Sequence, residues 1–287
     1  MTQRQIKARH AAYRDDIADL TTRRPVPNHG LDQVDPFLFL NHHGPQTYRP
    51  GNNGLPFGPH PHRGFETVTF ILEGSLAHMD TGGHESIISA GGVQWMTAGS
   101  GLIHAELSPP DFKRDGGDLE ILQLWVNLPS KLKMTTPRYT GVQSDAIPAL
   151  AAGERAILHL VSGDFDGKSG PVDSLTNVFM SMVSLPTGAS VTLPAPEGRS
   201  VFFYVVRGSV EVSGSTAKAF ELVEFETAGD EIAVTSQENA FILYGHADPI
   251  NEPVVAHGPF VMNTEQEIRE AIADYQAGKF NRSPENA

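Results

Sequence analysis

The chain contains no cysteine. Disulfide staples and thiolate metal sites are excluded, and the redox state of a compartment leaves no mark on it. Cations are scarce: 21 Lys and Arg stand against 34 Asp and Glu, a formal charge of −13. Neutralising a phosphate backbone takes a clustered basic face. Only short pairs such as Arg23-Arg24 occur, so no direct nucleic-acid partner is expected. No apolar run reaches the roughly 18 residues of a membrane span, so no membrane partner is expected either. The first twenty residues lack the apolar stretch of a secretory signal, and the expected location is cytoplasmic. Helical periodicity is nearly absent too. It is clear only over 264–280, where Ile268, Ala271, Ile272 and Tyr275 share a face behind a plausible N-cap, Thr264, with Gly278 as the stop.

Glycine (28) and proline (21), by contrast, are frequent, as many turns between short strands require. Strand-like runs such as "FETVTFILEG", "LEILQLWVNLP" and "NAFILYGH" follow one another at about eight to twelve residues, the spacing of an all-β sandwich or barrel. "DPFLFLNHHGP" reads as a short strand ended by Gly44-Pro45, with His42-His43 as a surface pair. Residues 1–24 read as a short helix or a loose arm.

An internal repeat is visible. "FETVTFILEGSLAHM" (65–79) matches "SVFFYVVRGSVEVSG" (200–214), with Gly74 against Gly208, and "EILQLWV" (120–126) matches "AFILYGH" (240–246). The expected organisation is two copies of one β-domain, residues 1–145 and 146–287, the second ending in the helix near 264–280. Where the first copy has "PHPHRG", the second has "LPAPEG" (193–198), so only the first has histidines at that turn.

The chemistry concentrates in two short pairs. His60 and His62 lie two residues apart, as do His104 and Glu106. On extended backbone, residues two apart project to the same side. If the two segments are neighbours, three imidazoles and one carboxylate converge, a donor set for Fe, Mn, Ni, Cu or Zn that leaves positions open on a six-coordinate ion. Taken alone, either pair also fits a solvated strand edge. Gly54-x5-His60-x-His62-x3-Glu66 and Gly101-x2-His104 resemble the two motifs of the cupins, with Gly99 in place of the usual proline and one extra residue between Glu66 and Gly74.

More narrowly, "DPFLFL", "HPHRGFETVTFILEG", "TAGSGLIHAE", "LQLWVNLP" and "EPVVAHGPFVMNTEQEIREAIADYQAGKF" resemble the pirin family over nearly the whole length. The resemblance implies two tandem cupin (double-stranded β-helix, jelly-roll) barrels. It implies one metal, Fe(II) or a substitute such as Ni, Zn, Mn or Cu, in the first barrel. It carries the ligand roles to His60, His62, His104 and Glu106, and leaves Glu66 as an outer carboxylate that orients a ligand or braces the structure. The function implied is a quercetin 2,3-dioxygenase-like enzyme acting on a flavonol-like polyphenol with O2, with Glu106 as the catalytic base. The alternative implied is an iron-dependent redox sensor or transcriptional co-regulator working through a protein partner.

Overall fold

The computed structural model of the chain describes residues 2–281. Strands dominate, and the α-helices among the described residues are Pro110–Asp115 and Glu265–Gln276. Two compact units form. Each is a jelly-roll of antiparallel sheets, the two tandem cupin barrels expected.

The first barrel joins strands in the order Arg138–Val142, Val93–Thr97, Phe65–Glu73, Gly117–Asn127 and Phe37–Tyr48. Its second sheet runs Phe57–His62, Leu102–Leu107, Ser75–Asp80, Glu85–Ser89. The second barrel repeats the scheme, with Ser200–Arg207 beside Ala240–Ala247 and Ser190–Pro194 beside Glu231–Ser236. The repeat read from the sequence is therefore structural. Gly74 and Gly208 sit at the same hairpin, at φ +83° and +76°. A Cβ there would meet Asp118 O at 2.7 Å or Asn239 O at 2.2 Å, so no larger residue fits either turn.

The units are not the contiguous halves 1–145 and 146–287. One comprises Met1–Tyr13, Arg23–Pro36 and Asp145–Pro249, and the other Arg14–Thr22, Phe37–Ser144 and Ile250–Ala287. The segment read as a helix or arm is instead a strand, Ile6–Ala11, paired antiparallel with Glu221–Phe225. Its alternating burial supplies the edge of the second barrel's sheet. The terminal helix packs with the first barrel's unit. Its buried Ile268 and Ala271 cluster with Phe260, Met262 and Phe280. Thr264 caps it as expected, in a reciprocal capping box with Glu267.

Arg4 explains why the leading segment stays with the second barrel. Its side chain is fully buried. Nε donates to Ala195 O (2.9 Å) and Gly229 O (3.2 Å), Nη1 to Arg199 O (2.9 Å) and Glu226 O (2.8 Å), and Nη2 to Pro196 O. One guanidinium thus braces the 195–199 turn, the counterpart of the histidine-bearing turn in the first barrel. Arg4→Met leaves five carbonyls short of a donor. The expected loss is about 2–4 kcal/mol, read as a lower urea midpoint with an unchanged slope.

Candidate metal centre

The strand Phe57–His62 is antiparallel to Leu102–Leu107, with His60 opposite His104 and His62 opposite Leu102. The two segments are neighbours, and the period-two argument puts the rings on one side. One nitrogen each from His60, His62 and His104 lies within 4.8 Å of the other two. His60 Nε2 and His104 Nε2 are 2.9 Å apart. The ring centroids are separated by 4.4, 4.8 and 4.9 Å.

Hydrogen bonds aim two of the rings. His60 Nδ1 donates to Gly58 O at 2.8 Å and His62 Nδ1 to Pro259 O at 3.2 Å, which leaves each Nε2 as a lone pair. His104 Nδ1 is buried without a partner among the described residues, so no outer acceptor orients that ring, whose Nε2 faces His60 Nε2. Burial, and next His60, push His62 down to about 3. Burial, followed by the other imidazoles, also holds His104 well below the ordinary histidine value. Both rings are neutral at neutral pH, the form a cation needs.

The residues fit a metal. Two nitrogens held at about 2.1 Å from one ion and at right angles stand about 3.0 Å apart, against 2.9 Å for the His60–His104 pair. Three imidazole nitrogens suit a borderline divalent ion.

Glu106 is not in the three-histidine group. The pairing shifts register between His104 and Glu106, which faces Phe57, so the extra residue lies at Gly58-Pro59 on the opposite strand. The Glu106 side chain is buried. Oε1 accepts from Thr69 Oγ1 (2.9 Å) and Oε2 from Gln123 Nε2 (2.6 Å). Glu66 is fully buried and accepts from Thr97 Oγ1 at 2.6 Å. Burial raises its pKa against that hydroxyl's pull. Among the described residues its carboxylate accepts from Thr97 and from no imidazole of the cluster, which favours the bracing role over the orienting one.

An apolar wall stands beside the imidazoles. Phe65 and Trp125 meet His62 edge-on at 5.0 and 5.4 Å, and Phe39 stacks on Trp125 at 4.6 Å. Phe39 and Trp125 are only partly buried, so that wall keeps an open face.

Three features escaped the sequence reading. His42 and His43 are buried in a twelve-residue strand that runs through Gly44-Pro45 rather than stopping there. His42 Nε2 meets Glu120 Oε1 at 2.9 Å, and His43 Nδ1 meets Thr22 Oγ1 at 2.9 Å. His78 donates to Asp80 at 2.9 Å and lies flat on Tyr139 at 4.0 Å, while His84 reaches the same carboxylate at 3.1 Å. Burial alone would raise Asp80; bonds from His78 and His84 hold it below its usual value. Here the sequence did carry a signal, since His78-x-Asp80 has the same period-two spacing as the metal pairs. The third is Lys133, buried in a loop. Nζ donates to Gly64 O (2.9 Å), Asn127 Oδ1 (2.7 Å) and Val261 O (3.0 Å). It joins the turn that follows His62 to the hairpin that carries Pro259.

Comparison with known proteins points to one family. A family model described as Pirin matches residues 19–126, and one described as Pirin C-terminal cupin domain matches residues 180–281. The chain is 38% identical over 267 residues to a pirin-like protein of Caulobacter vibrioides, covering 92% of this chain and 94% of that one. It is 37% identical over 265 residues to pirin of Homo sapiens, covering 90% and 87%. Among solved structures it is similar to a quercetin 2,3-dioxygenase from Acinetobacter baumannii, at 34% identity over 97% of this chain and 98% of that one, with a TM-score of 0.92.

Proposed function

This chain belongs to the pirin family, and from that premise we propose that it is a mononuclear non-haem dioxygenase that opens flavonol-like substrates with O2. The observation that carries the reading is the convergence of three imidazoles beside a half-open aromatic wall. His60, His62 and His104 would hold the ion, with Glu106 completing the set, and iron(II) is the proposed occupant. When bound, the metal supplies Lewis-acid and one-electron chemistry.

The protein's own groups do the rest. Trp125 and Phe39 offer a flat face on which a planar polyphenol stacks, at roughly 0.5–1.5 kcal/mol per aromatic pair. Phe65 and Trp125 keep water from the inner side of His62. Glu106 is the base for the acidic ring hydroxyl of the substrate. Thr69 and Gln123 fix its carboxylate with one donor on each oxygen, which leaves a lone pair on each for the incoming proton.

The test is O2 uptake and CO release by the iron(II)-loaded chain with quercetin. Glu106→Gln should lower kcat at least about 100-fold, the usual scale for a lost general base. Metal content measured alongside separates the two roles given to Glu106: a base-only role keeps the iron, and a ligand role loses it. Turnover unchanged in Glu106→Gln sinks the reading. Iron bound without any O2 uptake would favour the second reading, a redox sensor acting through a protein partner.

A further inference from the structure

A cavity of about 410 Å3 opens in the first barrel's unit, and none of His60, His62, His104 or Glu106 lines it. Its walls come from the turn after His62, the two turns flanking the strands Glu85–Ser89 and Leu102–Leu107, and the end of the terminal helix. Arg63 lines it and is 5% exposed. Its guanidinium rests on the Phe280 ring, 4.7 Å from the centroid. Nε donates to Ser100 O at 2.8 Å and Nη1 to Asp274 Oδ2 at 3.0 Å. Lys279 Nζ takes the other oxygen, Asp274 Oδ1, at 2.6 Å.

Counting donors and acceptors shows what is missing. An arginine has five N–H donors and a lysine ammonium three. Two of Arg63's and one of Lys279's have partners among the described residues, while both oxygens of the one lining carboxylate, Asp274, are taken. The cavity holds two cations against one anion, in a chain whose formal charge is −13. Its own carboxylates cannot satisfy those donors, and a planar fork selects a carboxylate-like acceptor. The remaining wall includes Phe280, Leu102, Met134 and Pro137. The volume lies within the range of small-molecule sites, roughly 300–1,000 Å3, and exceeds the need of an inorganic ion.

We propose that this cavity binds a small organic anion, a carboxylate on an aromatic or apolar body, at a site separate from the three-histidine centre. The carboxylate meets the free edge of Arg63 and the ammonium of Lys279, and the body lies against Phe280 and Leu102. The site does not depend on the reaction assigned to the metal.

The probe is benzoate, titrated calorimetrically into the full-length, metal-loaded chain, with benzamide as its uncharged counterpart. Benzoate should bind, with benzamide at least about tenfold weaker. Arg63→Gln should weaken benzoate by about tenfold or more. Because Arg63 also anchors the helix, Lys279→Glu, at an exposed position, provides the independent check and should weaken it several-fold. His62→Ala should leave the affinity within about twofold. The proposal is overturned if no binding is seen up to about 10 mM, if neither charge variant matters, or if His62→Ala abolishes binding, which would place the carboxylate at the histidines instead.

Discussion

His62→Ala is expected to reduce bound metal from about one ion per chain to a trace, and to take O2 uptake with it. The ring is buried, neutral, and aimed by Pro259 O, so its nitrogen reaches the cluster already oriented. Losing an outer partner of a metal ligand typically weakens affinity by 10–100-fold. Losing the ligand itself should exceed about 100-fold. The two imidazoles that remain, 2.9 Å apart, still chelate but no longer surround the ion. Metal analysis after dialysis against a weak chelator checks this. Circular dichroism should show the barrel intact, because its strands are held by ladders that do not involve the side chain. Full metal retention in this variant would mean the three rings are not the site.

The second large effect falls on Lys133. Its ammonium gives all three donors to Gly64 O, Asn127 Oδ1 and Val261 O. Lys133→Met fills similar space and orphans the three acceptors. At about 1 kcal/mol each, less the relief of no longer burying a charge, the expected loss is about 2–3 kcal/mol. That is a Tm fall of roughly 5–10 °C. The metal should also bind less tightly, since Gly64 follows the His62 turn and Val261 the Pro259 hairpin. Gly64 has φ +89°, and a Cβ on it would stand 2.0 Å from Val261 O, so the two backbones meet with no room to spare. The pH dependence has a definite sign. Burial pushes Lys133 down to about 8, below its unfolded value near 10.4. Between those two pH values the unfolded chain binds more protons, so this group makes stability rise with pH there. Lys133→Met should flatten that rise. Equal urea midpoints for the variant and the parent chain at pH 7 would remove Lys133 as a staple.

Local rules made much of the molecule legible. His60-x-His62 needed only the two-residue period of a strand to put both rings on one side, and Gly74 and Gly208 marked equivalent hairpins because no other residue tolerates those turns. Thr264 announced the helix start. What could not be read locally depends on partners far away in sequence. Ile6 pairs with Phe225 across more than two hundred positions, and a six-residue strand with charged outward residues looks the same as an arm until that partner is known. Lys133, in the stretch "SKLKM", has the composition of a solvated loop. Only the carbonyls of Gly64 and Val261 make burying it favourable. Gly44-Pro45 stops strands in general, yet here the pairing with Gly117–Asn127 continues on both sides of it. Glu106 followed the period rule to the right strand, but the extra residue at Gly58-Pro59 on the neighbouring strand was invisible to that rule.

The exchange of segments between the units bears on how the polypeptide is made. A nascent chain that has reached residue 144 still lacks the helix and hairpin that complete its first core, while its leading strand waits for an edge synthesised about 210 residues later. Neither half is finished on the ribosome before nearly all of the other has emerged. Splitting the gene between Ser144 and Asp145 would therefore yield two aggregation-prone fragments rather than two small soluble proteins, whereas mixing them as they are synthesised should restore both.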